Sequence, residues 1–439
     1  MIREKFEEAF SPERIKKNIT EPAHELIVLR KIIPWEKIID SLTPFYDRTA
    51  GAVGKSLRTM TALLTVSRLR GLSDREAVRQ VKENRYIQYF CNVPDEGLQT
   101  FLHPSSLSVF RKRLGEEGAA LIENEIFEML LRAGVIRGDE ALIDSTVLES
   151  DIIYPNDVQL IYKAFKKLRA FCRLHNISFW WDDTLLKKLW REFGLDKKGN
   201  RATWLIRFDE LFVPALKIFQ EKIRYLKTSD RRRNKACNLL NLLNLLEEQT
   251  AQKLRGERHI KDRIVSLDDP DARPIKKGKS HPKCEFGTTV QMTFSRAGFM
   301  ITAENFIGNP GDKTLYGDTL GLFISRTGEC PGTVVTDLGY RSQANIGNTP
   351  PEVAHVFMGR GTDVAEDRRD FCRSARSATE GFIAVAKNIR GFGKSPYHGL
   401  KGHRIWSVLC QTAYNLKKFL QMWFADKIEE ESMKELGLA

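Results

Sequence analysis

Cysteine is scarce in this chain and is not arranged for pairing. The seven cysteines, Cys91, Cys172, Cys237, Cys284, Cys330, Cys372 and Cys410, include no C-x-x-C pair, and their number is odd. That spacing excludes a disulfide framework and a zinc ribbon, and it is the usage of a reducing cytosol. Histidine is also sparse, eight in all. His398 and His403 lie near each other but lack partners at zinc spacing, so they read as surface or DNA-facing side chains. Long apolar runs are missing too: none approaches the ~18–20 residues that a membrane span needs. The opening Met1-Ile-Arg-Glu-Lys-Phe-Glu-Glu lacks the apolar core of a signal peptide.

Charge of one sign is in short supply. Against 70 Lys and Arg stand 57 Asp and Glu, a net charge of +13 with pI ≈ 9.3. Such an excess implies an acidic partner, and nucleic acid is the commonest one for a soluble protein. The 439 residues are 42% hydrophobic and 29% charged, the balance of an ordinary globular protein long enough for two to four domains.

The first 50 residues are an arm of helix and loop, broken by Pro12, Pro22, Pro34 and Pro44. Lys55 to Thr65 has Leu57, Met60, Leu63 and Leu64 at helical spacing. Ser73 with Glu76 makes a capping box for a helix that Val78, Val81 and Ile87 continue. A third helix, Ser105–Leu114, ends in basic residues. Three short helices with a basic last member over 51–135 suit a helix-turn-helix-like DNA-binding domain, or else a plain helical bundle docking on the next domain. Ala119–Ala133 is a further amphipathic helix.

Asp139-Glu-Ala-Leu-Ile-Asp144-Ser-Thr-Val-Leu148 then reads as a strand buried on both faces, with a carboxylate in its middle. From 158 to 259 the chain is helical, with basic and aromatic residues interleaved and Trp180, Trp181 and Trp190 available for a core. Its Leu239–Leu246 run lasts under two heptads and reads as bundle core. A hairpin follows, Glu285–Phe294 and Phe299–Asn305 joined at Ser295–Gly298. Next come a helix at Asp312–Ile324, strands at Gly332–Asp337 and Val353–Met358, and a long helix at Asp363–Lys387. This order predicts a mixed α/β sheet with helices on its faces.

Three acids stand out. Asp144 is a metal ligand or catalytic acid on a rigid strand, or a strand-edge residue in solvent. Asp337 ends a Val-Val strand before Leu-Gly339, where open α/β sheets place ligands, though Asp-x-Gly turns are common. Glu380 shares a helix face with Arg373, Arg376 and Lys387, all within roughly 60° at ~100° per residue. That face is either a salt-bridged surface or one acid aimed at a metal and flanked by phosphate-holding cations. Three such carboxylates on one sheet edge would suit Mg²⁺ or Mn²⁺, and two ions can drive phosphoryl transfer without a side-chain nucleophile.

Asp144-Ser-Thr, Asp337-Leu-Gly-Tyr-Arg and Arg376-x3-Glu380-x6-Lys387 resemble the three signature blocks of bacterial insertion-sequence transposases of the DDE class. Arg373 stands where that family usually has Tyr. Residues 56–114, 268–287 and the Gly402-His-Arg-Ile-Trp…Ala413-Tyr-Asn415-Leu block are similar as well; 158–259 has no clear counterpart in shorter members. The resemblance implies an RNase H-like catalytic domain over 136–157 and 260–402, a helical insertion over 158–259 and a C-terminal helix over 403–439. It implies two Mg²⁺ (or Mn²⁺) ions on Asp144, Asp337 and Glu380, with Arg376 and Lys387 positioning DNA. Double-stranded DNA, as element ends and target, is the implied partner, in a homodimer or larger complex, cytoplasmic and at the nucleoid. A metal-dependent nuclease without strand transfer and an inactive DNA-binding relic are the alternatives. Asn388-Ile-Arg-Gly-Phe-Gly-Lys394-Ser395 nearly matches a P-loop, but it starts with Asn and follows a helix, so it reads as a basic loop near DNA.

Overall fold

The computed structural model describes residues 15–16, 19–47, 54–95, 98, 101–178, 182–196, 199–225, 229–277, 284–359 and 366–438. The N-terminal part of the described chain carries α1 (Glu25–Ile32), α2 (Trp35–Leu42), α3 (Leu57–Leu69), α4 (Asp74–Glu83), α5 (Arg85–Phe90) and α6 (Ser105–Arg132). Every residue of α3 but Arg68 is buried, so α3 is the centre of the bundle. Ser73 caps α4 by accepting the Glu76 amide at 3.2 Å, while the Glu76 carboxylate is engaged by Arg79 and Gln80 instead of closing a capping box. The expected continuation through Ile87 breaks at Asn84, whose side chain accepts two amides and starts α5. Gly115, at φ 63° and ψ −157°, kinks α6 between the two helices expected there.

Of the basic end of the 105–114 segment, Arg111 is half-buried while Lys112 and Arg113 are exposed. Arg111 donates to both carboxylate oxygens of Asp74 at 2.7 Å and lies over the Tyr397 ring, while Arg113 lies over Tyr46. Arg68 lies over the Trp406 ring, 4.4 Å from its centroid. The bundle thus docks on the C-terminal helix, and its apolar core runs on without a break into the sheet residues Ala141, Ile143, Val334 and Ile301.

The sheet is built on β1 (Glu140–Ser150), the long strand carrying Asp144. One edge of β1 pairs antiparallel with β3 (Glu285–Phe294), which pairs in turn with β4 (Met300–Ile307) and with a short β2 (Arg273–Ile275) that the sequence did not announce. The other edge pairs in parallel with β5 (Thr333–Thr336) over residues 140–142 and with β7 (Lys394–Ser395) over 149–150. Between those two pairings, among the described residues, that edge of β1 has no strand beside it. Beyond β5 lies the parallel β6 (His355–Met358).

Helix α11 (Asp312–Thr327) lies on the face of Ala141 and Ile143; α13 (Glu366–Ile389) and α14 (Gly399–Phe424) cover the face of Leu142 and Leu148. A short α12 (Gln343–Gly347) follows β5, and α15 (Glu430–Glu435) closes the described chain. The Asp363 start expected for α13 lies outside the described residues, and the C-terminal helix begins at Gly399 rather than at 403.

His403 is fully buried, contrary to the surface position read from the sequence. Its ring meets Thr288 Oγ1 at 2.8 Å and Ser150 Oγ at 3.3 Å, and Asp269 lies 3.5 Å away. Burial raises the Asp269 carboxyl, but bonds from His403, Ser150 and the Gly399 amide outweigh it and hold the group at about 2. This knot fastens the end of β1 to the start of α14.

Between β1 and β2 the chain forms α7 (Asp157–Leu174), α8 (Asp183–Leu195), α9 (Arg201–Arg224) and α10 (Asp230–Leu254). They pack around Phe165, Phe208, Phe212 and Phe219 in a core of their own. Trp190 stacks flat on Tyr162 at 4.1 Å, whereas Trp180 and Trp181 lie outside the described residues. From the leucine run, Leu243 and Leu246 are buried in that core.

Candidate active site

In the parallel pair, Leu142 stands opposite Val335. That offset is 335 − 142 = 193, and 337 − 144 is also 193. Extending the register two residues therefore sets Asp144 and Asp337 level on neighbouring strands and on the same face. Asp144 sits in the stretch of β1 that β5 has left and β7 has not reached. Asp337 is the first residue past β5 and caps the 3-10 turn Leu338–Tyr340, accepting the Gly339 amide at 2.8 Å. Gly339 passes between two acids: a Cβ there would lie 2.9 Å from Asp337 Oδ1 and 3.3 Å from Asp312 Oδ2.

Glu380 projects from α13, exposed, with Oε1 3.5 Å from Arg376 Nε. Lys387, one turn-pair further along the same stripe, donates to Glu285 Oε1 at 3.1 Å; that carboxylate is only 5% exposed. Asp144, Asp337, Glu380 and Lys387 all line one cleft of ≈ 720 Å³, together with Ser145, Lys276, Lys277 and Asp312. The expected acids are thus brought to a common solvent space. Among the described residues no three His, Cys, Asp or Glu side chains already stand close enough to clasp an ion, and Glu380 is paired with Arg376.

Burial pushes the Asp144 carboxyl up to about 6. The Ser145 amide, 2.7 Å from Oδ1, and Lys277 pull it down, while Asp337 and Asp312 push it further up. A buried acid repelled by two others is an oxygen donor set that a hard divalent cation would relieve.

Sequence reading missed the layer on the other face of β1. Ser145 donates to Asp312 Oδ1 at 2.8 Å and accepts from Lys277 at 2.6 Å. Tyr340 is fully buried, accepts from Gln291 at 2.6 Å, and has its phenol pushed upward by burial and by Asp312 and Asp144. Asp312 opens α11, where an acid is also favoured by the helix dipole.

Residues 13–113 match a domain family described as a transposase domain, DUF772. A protein of Rhizobium meliloti, described as uncharacterized protein ORF8 in the nfe locus, is 30% identical over 178 residues, covering 39% of this chain and 83% of the relative. The chain belongs to the family of that protein, and it is of transposase type. The matched domain takes in α1 to α5 and the start of α6, the bundle docked on α14, and not the cleft itself. No solved structure is significantly similar to this transposase-type chain. Among the described residues no helix is long and apolar enough to cross a membrane.

Proposed function

We propose that the chain is a metal-dependent DNA transposase with an RNase H-like core, cleaving at the ends of a mobile element and joining the freed strand to target DNA. The observation that carries this reading is the meeting of Asp144, Asp337 and Glu380, from three distant segments, in one cleft. The strand order β4-β3-β1-β5-β6, with only β3 running against β1 among these, supports the RNase H-like part.

Two Mg²⁺ or Mn²⁺ ions in the cleft would supply a lowered-pKa water and charge stabilisation at the leaving 3′ oxygen. Asp144 and Asp337 are held by β1 and by the turn after β5, and each accepts a main-chain amide that fixes its direction. Glu380 completes the set by leaving Arg376, which is then free to hold a phosphate. Lys387 stands on the same wall and keeps Glu285 neutralised in the free protein. Double-stranded DNA is the substrate, and a homodimer or larger assembly on the two element ends is the working form.

The test is incubation with supercoiled DNA carrying candidate element ends plus Mg²⁺, scored for joined products and for nicks. Asp144→Asn, Asp337→Asn and Glu380→Gln are each expected to lose about 10³-fold or more in cleavage while end binding survives, since ligands of one site act as a unit. Cleavage in chelator, or undiminished cleavage by Asp144→Asn, would overturn the reading. Nicks without joined products would make the chain a nuclease.

A further inference from the structure

The cleft holds more acid than a three-carboxylate site requires. Asp144, Asp337 and Asp312 lie within electrostatic reach of one another, and like charges in a half-buried cleft repel. Of the cations lining the cleft, Lys387 is engaged with Glu285 and Lys276 is exposed; Arg376, outside the lining, pairs with Glu380. Lys277 is different. Its side chain is 17% exposed, and its Nζ lies 2.6 Å from Ser145 Oγ and 3.5 Å from Asp312 Oδ1. Ser145 joins the pieces: its hydroxyl donates to Asp312 at 2.8 Å while its amide donates to Asp144 at 2.7 Å. One ammonium thus sits against the acid cluster, reached through a residue that binds two of its members.

We infer that Lys277 is a built-in counter-ion of the acidic cleft, a positioning residue that competes with divalent metal in the DNA-free protein and yields to it when a DNA phosphate draws the ammonium away. The inference rests on the metal-site reading above. An ammonium and a divalent cation both neutralise the same carboxylates, so each weakens the other's hold. A phosphate that takes Lys277 removes the competitor, and by linkage metal and DNA then favour each other. Such a device keeps the cleft assembled without metal and disfavours loading of the ion before substrate is present.

The experiment measures Mn²⁺ binding to the full chain without DNA, by the electron paramagnetic resonance signal of free Mn²⁺, with melting curves in chelator and in Mn²⁺. Lys277→Met is expected to bind Mn²⁺ about fivefold more tightly than the parent, the scale of removing one nearby like charge at a partly screened site. It is expected to melt lower in chelator, with the gap closing in Mn²⁺, which a merely structural role would not produce. Lys277→Arg keeps the charge and should stay close to the parent. Asp144→Asn should lose most of the binding. If Asp144→Asn weakens Mn²⁺ binding but Lys277→Met leaves it unchanged or weaker, the counter-ion role is wrong and Lys277 serves the fold or DNA alone. If the parent binds no Mn²⁺, or Asp144→Asn binds it as well as the parent does, the metal-site reading itself fails.

Discussion

Burial holds the Asp144 carboxyl at about 6 against an ordinary value of 3.8, and this fixes how the metal-free protein responds to pH. In the unfolded chain the group ionises as pH passes 3.8; in the folded chain it keeps its proton until about 6. Ionised Asp144 therefore costs stability above about 6, less in between, and nothing below 3.8. Asp144→Asn is expected to raise the melting temperature in chelator at pH 8, by at most about 3 kcal/mol of stability, with the gain vanishing toward pH 4. Mg²⁺ should stabilise the parent at pH 8 and not the variant. A lower melting point for Asp144→Asn at pH 8 would contradict the burial argument. At this scale Asp144, Asp337 and Glu380 were legible because each stands in a short pattern that chemistry constrains. The role of Ser145 was not, since its partners, Asp312 and Lys277, lie 167 and 132 positions away in sequence.

The helix α13 carries both Glu380 and Lys387, so whatever fixes that helix fixes one wall of the cleft. The β3–β4 turn does part of this. Gly298 has φ +86°, and a Cβ added there would lie 2.7 Å from the ring of Phe382, two residues along α13 from Glu380. Gly298→Ala meets both the left-handed backbone and the ring, and is expected to cost about 1–3 kcal/mol in urea unfolding. Cleavage should fall beyond what the lost stability explains, because α13 must shift; full cleavage at unchanged stability would show that the turn does not brace it. The strands were readable where apolar runs were bounded by polar residues, as in β1, β3 and β5. Three-residue β2 contains Pro274 and offers no such run. Helix breaks at Asn84 and Gly115 depend on single side chains and dihedrals, which spacing does not report. His403 was misread because nothing in the local sequence says which face of α14 meets β1 and β3.

Across the whole molecule the charge of +13 predicts a steep loss of DNA affinity with salt. Arg231, Arg232, Arg233 and Lys235 are exposed on the first turns of α10, a candidate share of the DNA-facing surface. Substituting the three arginines by alanine should reduce the slope of log K against log salt by about 0.9 for each phosphate that is no longer neutralised. A flat dependence in the parent would count against DNA as the main partner. The inserted helices invite a sharper test, because among the described residues their core draws only on the stretch between Val158 and Leu267 and on none from the sheet or the N-terminal bundle. The two ends of the segment also meet: Arg263 bonds Asp157 at 2.6 Å, and Lys163 and Lys167 both reach Asp268. A segment with its own core and adjacent ends meets the physical conditions for a folding unit. Residues 155–268 expressed alone are therefore expected to be helical and to unfold cooperatively in urea. At ~0.05 kcal/mol per residue their stability would be about 6 kcal/mol. The remainder of the chain, with that segment replaced by a short flexible linker, should keep the β1–β3 pairing, since Asp269 is anchored independently by His403 and the Gly399 amide. A fragment that unfolds without cooperativity, or a shortened chain that fails to fold, would mean that the insertion and the sheet hold each other up rather than standing as separate units.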